Sequence, residues 1–444
     1  MRLSGWLVRI RYDVVVRGSS LLTLGQIFLA ASGYVVNVAL ASILGVKDYG
    51  TYGLVISILV WLEMILAPGI GTALEKSVAS QPQKAKTLMR HAVRVQGAIA
   101  VALFGLTFVF APVVATLLND SQLTFLLRFA AVDLLFFGFF RLGRGLDTAL
   151  QHFGRVALTS GVYALVKMAA IPILAASQLG LSGAIAGNTL ASIAVVLVVF
   201  KLARGLGGAS SMDGADDLRR SFFAVTPLSI FIAASMMLVS LDVWAVKYIG
   251  ASDTIIGFYV AATMLPKALI MISGGRIGMM TAVVGRSRAE GDYASTRQAL
   301  LKISWLFGSM IAAGALVVYL FANALMTLIF PVSYAAATPY LQVLIVSYGA
   351  FAVAEMFSRA LIVFDKCWGL CAIWVTAAFL AIPMYVTSGQ FWGPIGVAYS
   401  IGALSVAVSV CVLWMIRVEL AKLRVDDRRL ARIYGTGSVG VQTR

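Results

Sequence analysis

A chain of 444 residues that is 60% hydrophobic and 12% charged, with a mean hydropathy of +0.93, has too little polar surface to fold as a water-soluble globule. Its net charge of +16 would suit nucleic acid if the bases formed one patch. They are instead metered out loop by loop, so no nucleic-acid partner is expected.

Residues 1–17 place Leu3, Trp6, Leu7, Ile10 and Val14 on one helical stripe against Arg2, Arg9 and Arg11, the pattern of an amphipathic helix lying along an interface. No cleavable signal is expected, because the apolar stretch that follows is too long for a signal core. Stretches able to cross a hydrocarbon core then fall at 18–44, 50–74, 92–117, 125–149, 157–177 and 182–203. After a linker at 205–220, a second set falls at 221–249, 254–283, 300–330, 339–363, 368–388 and 394–416, before a tail at 417–444. The expected fold is an all-α polytopic membrane protein of about twelve transmembrane helices in two homologous six-helix bundles, 18–204 and 221–416. Of 35 Lys and Arg, 29 lie in alternate connections and the termini, whereas the opposite loops hold only Lys47, Arg128 and Lys247. The positive-inside rule places both termini in the cytoplasm. Residues 417–434 read as a surface helix, and with the polar end beyond it they form either a solvated tail or a dock for a polymerase or glycosyltransferase.

The second half repeats the first. Gly45, Asp48, Gly50 and Tyr52 recur as Gly250, Asp253, Gly257 and Tyr259. Arg144, Leu146, Phe153 and Gly154 recur as Arg359, Leu361, Trp368 and Gly369, and Ile171-Pro172 with Gly180 and Gly183 as Ile382-Pro383 with Gly393 and Gly396. Duplicated halves in an apolar chain mark secondary transporters, whose bundles rock about a central site.

The loops opposite the basic ones are too short to build a catalytic domain, and no Walker A motif is present. His91 and His152 lie at the cytoplasmic edge, and Cys367, Cys371 and Cys411 have no ligand set around them, so no metal and no cofactor are expected. Charges inside spans are costly and therefore functional candidates. The basic ones are Lys167, Lys267 and Arg276; the acidic ones are Glu63, Asp133, Asp242 and Glu355. Lys167 follows Tyr163, and Lys267 follows Tyr259 and Thr263, each on a helix expected to be interrupted by proline, Pro172 or Pro266. The lysines either converge on a central cavity that receives an anion or pair with nearby acids. Glu355 and Arg359, at i and i+4, can neutralise each other. Glu63, Asp133, Asp242 and Glu355 are candidates for H+ or Na+ coupling, Glu355 last of the four because of Arg359, and Asp242 alternatively for capping a helix break. Gln26, Gly33 and Asn37 form a stripe that lines the cavity or makes a tight helix contact.

Tyr49-Gly50-x-Tyr52, Leu241-Asp242, Gly257-Phe258-Tyr259, Ala261-Ala262, Phe330 to Tyr334 with Ala336-Ala337, and Gly393-Pro394-Ile395-Gly396 carry a resemblance from about Arg17 to Ile416. In order and spacing they resemble the lipid-linked oligosaccharide and polysaccharide flippases of the multidrug, oligosaccharidyl-lipid and polysaccharide (MOP) exporter superfamily. The resemblance implies a V-shaped pair of bundles in a bacterial inner membrane. It also implies translocation of a polyprenyl-diphosphate-linked oligosaccharide for O-antigen, capsule or exopolysaccharide export, without enzymatic activity. The alternatives are a cation-coupled multidrug exporter of the same fold and a membrane enzyme acting on lipid-linked sugars.

Overall fold

The computed structural model describes residues 24–66, 68–205, 216–270 and 293–422 in full, and the backbone alone of 2–23, 215, 271–274 and 423–434. Among these residues all regular structure is helical. The elements are α1 (Arg2–Leu66), α2 (Ile70–Ser80), α3 (Ala85–Leu117), α4 (Gln122–Ala131), α5 (Leu134–Ala149), α6 (Phe153–Ala176) and α7 (Gly180–Ala203). They continue as α8 (Ala215–Tyr248), α9 (Asp253–Gly274), α10 (Tyr293–Leu320), α11 (Ala322–Ile329), α12 (Thr338–Val363) and α13 (Cys367–Tyr434).

Ten stretches are long and apolar enough to cross a membrane, and two of these, Leu24–Ser80 and Cys367–Lys422, hold 57 and 56 residues. At 1.5 Å per residue such a helix would run about 85 Å against a hydrocarbon core of about 30 Å. Each is two passes joined at a glycine with non-helical backbone, Gly45 (φ 71°) in α1 and Gly393 (φ 63°) in α13. The described residues thus make twelve passes. Large apolar side chains such as Trp305, Leu328 and Phe391 face outward, 76%, 82% and 81% exposed. A surface of that kind belongs against lipid, and the chain is a multi-pass membrane protein.

The sequence repeat has a backbone cause. The four described glycines with positive φ are Gly45 and Gly250, Gly180 and Gly393, which are two repeat pairs, each turning the chain between passes. Three residues after Gly180 and Gly393 stand Gly183 and Gly396. A Cβ on either would come within 2.1 or 2.2 Å of a carbonyl oxygen of the preceding pass, Leu174 or Ser388. The matched glycines therefore build the same tight helical hairpin twice.

Within the first bundle α1, α6 and α7 pack together and α5 lies on α2, α3 and α7; in the second, α12 and α13 pack on α8, α9 and α10. The bundles meet where α1 runs against α8 and α9 and where α2 touches α8. At the short-loop end the seam is closed. There Gly50 abuts Gly257 backbone to backbone, and Lys247 bridges Asp253 (2.6 Å) and Asp120 of the first bundle (2.9 Å). The Tyr334 hydroxyl donates to Ala41 O (3.1 Å) and its ring packs on Tyr49 and Phe258.

Three expectations need correction. Pro172 and Pro266 lie inside α6 and α9 and do not interrupt them; only a local backbone bond is lost, which packed membrane helices tolerate. The fourth pass, expected as one helix, tightens to i→i−3 bonds at Val132 and Asp133 (3.3 and 3.0 Å), separating α4 from α5. The ninth pass, expected over 300–330, ends at Leu320, and the separate helix α11 with a 3-10 turn, Val332–Ala337, follows it at the short-loop end. The side chains of the amphipathic leader and of the tail beyond Lys422 lie outside the described residues.

Candidate functional site

The buried charges gather into one cluster per bundle. In the first, Glu63 on α1 and Asp133 at the α4–α5 junction are neighbours, with Tyr163 and Lys167 of α6 and Ser192 of α7 around them. Glu63 is 5% and Asp133 0% exposed, and both Asp133 oxygens and Ser192 Oγ are buried without a hydrogen bond of regular geometry. Lys167 is half-buried with its Nζ 5.5 Å from the centre of the Tyr163 ring, and among the described residues it makes no direct ion pair. The lysine attracts both acids at a distance while the two acids repel each other, and the Asp133 and Ser192 oxygens keep hydrogen-bonding capacity unspent.

The cluster continues toward the basic end through Arg141 and Arg144, which the sequence offers as positive-inside charge and, for Arg144, as a repeat position. Arg144 Cζ lies 5.7 Å from the Phe140 ring, and Phe140 stacks on Tyr163 at 5.0 Å and 18°. A cation thus sits at each end of a buried aromatic pair. Arg141 and Arg144 share the field of Glu75 on α2, brought close because Gly71 and Gly145 let α2 and α5 meet. The signal was present: Asp133, Phe137, Arg141 and Arg144 fall at i, i+4, i+8 and i+11, one helical face.

In the second bundle Asp242 of α8 is fully buried. It accepts hydrogen bonds from the Tyr348 hydroxyl (2.7 Å), the Tyr259 hydroxyl (3.5 Å) and Val243 N (2.7 Å). Lys267 of α9 is half-buried in the field of Asp242, again with no direct ion pair among the described residues. The two lysines thus each face acids of their own bundle. Asp242 does not cap a helix break, since α8 runs unbroken through it.

Other candidates have separate tasks. Asn37 donates to Gly33 O (2.8 Å) and accepts from the Tyr49 hydroxyl (3.1 Å), bracing the two limbs of α1 across Gly45. Thr263 donates to Val260 O (2.8 Å) and is buried; Gln26 is exposed on α1; Arg276 lies outside the described residues. Glu355 accepts from Arg359 (2.8 Å) and Ser235 (3.2 Å). Replacing Arg359 with Ala leaves Glu355, 1% exposed, with one neutral partner. That loss is expected to cost about 3–5 kcal/mol, read as a lowered Tm in detergent; an unchanged Tm would show that the pair is not needed for folding.

Between the bundles lies an apolar cavity of about 860 Å³, walled by Leu62 and Leu106 on one side and Leu241 and Ile382 on the other. Trp61 and Trp244, whose rings meet edge to face at 5.7 Å, also border it. Each reaches across the seam: Trp61 Nε1 donates to Ala233 O (3.3 Å), and Trp244 Nε1 to Ser57 Oγ (2.8 Å). Sequence reading missed this cavity because its lining is indistinguishable from lipid-facing helix.

The family model described as polysaccharide biosynthesis protein matches residues 15–284. No curated relative matches the sequence. Among solved structures, an inward-facing multidrug resistance transporter of the MATE family, of the MOP superfamily, superposes with a TM-score of 0.75 at 14% identity, covering 91% of this chain and 99% of the other. The lipid II flippase MurJ in an inward closed conformation gives 0.72 at 14% identity, covering 93% and 92%. A MOP superfamily transporter from Pyrococcus furiosus gives 0.67 at 14%, covering 93% and 96%. The fold is that of these transporters.

Proposed function

Because this chain belongs to the polysaccharide biosynthesis protein family, we propose that it is a flippase for a polyprenyl-diphosphate-linked oligosaccharide, working in a bacterial inner membrane with its basic loops and termini in the cytoplasm. The observation that carries this reading is the pair Lys167 and Lys267, one in each bundle, half-buried and without a direct ion pair among the described residues. A desolvated ammonium lacking a bonded partner is a binding group for an anion. The diphosphate enters at the basic end past Arg141 and Arg144 and is held by the lysines, with Arg276 assigned the same task from its place in the sequence. The isoprenoid lies along the apolar seam cavity. Rocking of the bundles then turns the glycan outward for O-antigen, capsule or exopolysaccharide assembly.

Glu63, Asp133 and Lys167 bring two acids to one base, so a single proton decides whether that cluster is neutral. We place ion coupling there and at Asp242; no catalytic step is invoked. The same excess of acids favours a second reading, export of cationic drugs.

Deletion of the gene in its host followed by lipid extraction separates the two. A flippase is expected to leave diphosphate-linked oligosaccharide trapped on the inner leaflet, with surface polysaccharide lost. A normal lipid-linked pool with intact surface glycan, together with new drug sensitivity, would replace the first reading by the second.

A further inference from the structure

A second cavity, of about 610 Å³, lies between α10 and the last pass of α13, with Phe357 of α12 also lining it. It forms because Ser304, Gly308 and Ala312, at i, i+4 and i+8, give α10 a flat face toward it, so that α10 packs on α12 and leaves a channel beside α13. Its walls are Leu300, Leu301, Leu413, Ile416 and Leu420, and Trp305 stands along it. The charged lining is Arg297 and Arg417, both near the basic end of their helices and both exposed. The neighbouring acid Glu419 is already engaged by Lys422 (2.6 Å) and Lys366 (3.6 Å). Neither arginine has a direct ion pair among the described residues.

Two guanidiniums without a direct ion pair among the described residues, at the end of a leucine-walled channel on membrane-spanning helices, complement an amphiphile with an anionic head and hydrocarbon chains. A soluble anion would have no use for the walls, and a peptide would bring backbone groups that the walls cannot satisfy. We propose that this groove binds one anionic glycerophospholipid, its phosphate at Arg297 and Arg417 and its acyl chains along α10 and α13. The site is separate from Lys167 and Lys267 and stands whatever the chain transports.

Trp305 supplies the readout. The full chain is reconstituted in phosphatidylcholine vesicles containing either brominated phosphatidylglycerol or brominated phosphatidylcholine, and tryptophan quenching is followed against quencher fraction. The unaltered protein is expected to favour the anionic quencher about tenfold. The share of that preference carried by Trp305 is read as the difference between the unaltered chain and Trp305→Phe, because Trp368, Trp392 and Trp414 are also exposed. That share is expected to vanish in the pair Arg297→Gln with Arg417→Gln and to persist in the pair Arg297→Lys with Arg417→Lys, which also reports on folding. Equal quenching by both lipids, a preference unchanged in Trp305→Phe, or a Trp305 share that survives in the glutamine pair overturns the proposal. So does displacement of the quencher by a polyprenyl phosphate but not by phosphatidylglycerol, which would give the groove to an isoprenoid instead.

Discussion

Valine at position 257 is expected to abolish transport while leaving a chain that inserts and folds. A Cβ on Gly257 would lie 2.0 Å from Val46 O and 2.8 Å from Val46 Cγ1, and one on Gly50 would lie 2.6 Å from Gly257 N. Backbone atoms cannot give way as a flexible side chain can, so the added bulk must part α9 from α1. Overpacking of this kind costs about 1–3 kcal/mol, and here the cost falls only on states in which the short-loop end is closed. At 1.4 kcal/mol per tenfold change, the closed state would lose about one to two orders of magnitude in population. The check is a disulfide between Cys introduced at Lys47 and Asp253, which form an ion pair at 3.9 Å across the same seam, in a chain whose Cys367, Cys371 and Cys411 are alanine. Efficient cross-linking in the Gly257 chain and its loss in Gly257→Val is the expected result. Equal cross-linking and equal export in both would show that the seam opens without this contact.

Replacing Lys167 and Lys267 together with glutamine is expected to stop glycan export without loss of folded protein. Removing one partner of a desolvated charge contact costs about 2–5 kcal/mol, a loss in affinity on the order of 30-fold or more. Glutamine, one atom shorter, removes the charge but keeps a hydrogen-bond donor, and the double arginine variant keeps the charge. Export lost in the glutamine pair and retained in the arginine pair is the expected pattern, measured as surface polysaccharide per folded transporter. Unaltered polysaccharide in the glutamine pair would remove both lysines from the binding site and leave them as internal counter-charges for Glu63, Asp133 and Asp242.

The passes were legible in the sequence because apolar length is a one-dimensional property, and the repeat was legible because the same turns need glycine twice. Gly45 and Gly250, Gly180 and Gly393 occupy a backbone region that side chains avoid, so their spacing survives where the surrounding residues have diverged. The composition of the candidate site was legible only as a set of costly residues. Which acid meets which base depends on how helices rotate about their axes. It could not be read that Glu63 and Asp133, 70 residues apart in numbering, would share one pocket with Lys167. Asn37 shows the converse: its stripe with Gln26 and Gly33 suggested a cavity wall, but its amide braces Tyr49 across the Gly45 turn. The prolines misled for a related reason, since Pro172 and Pro266 remove one backbone bond each from helices that run on through them.

The repeat that sets Gly50 opposite Gly257 also sets position 53 opposite its own counterpart, 260. A Cβ on Gly53 would meet Val260 Cγ1 at 2.3 Å. The seam is therefore an isologous interface folded into a single polypeptide, in which a patch meets a descendant of itself. Two identical halves could not both carry valine there, nor would two glycines fill the space. Once the halves became independent they were free to divide the volume, glycine on one side and valine on the other. Substitutions along this axis are thus coupled in pairs, and bulk gained by one half has to be surrendered by the other.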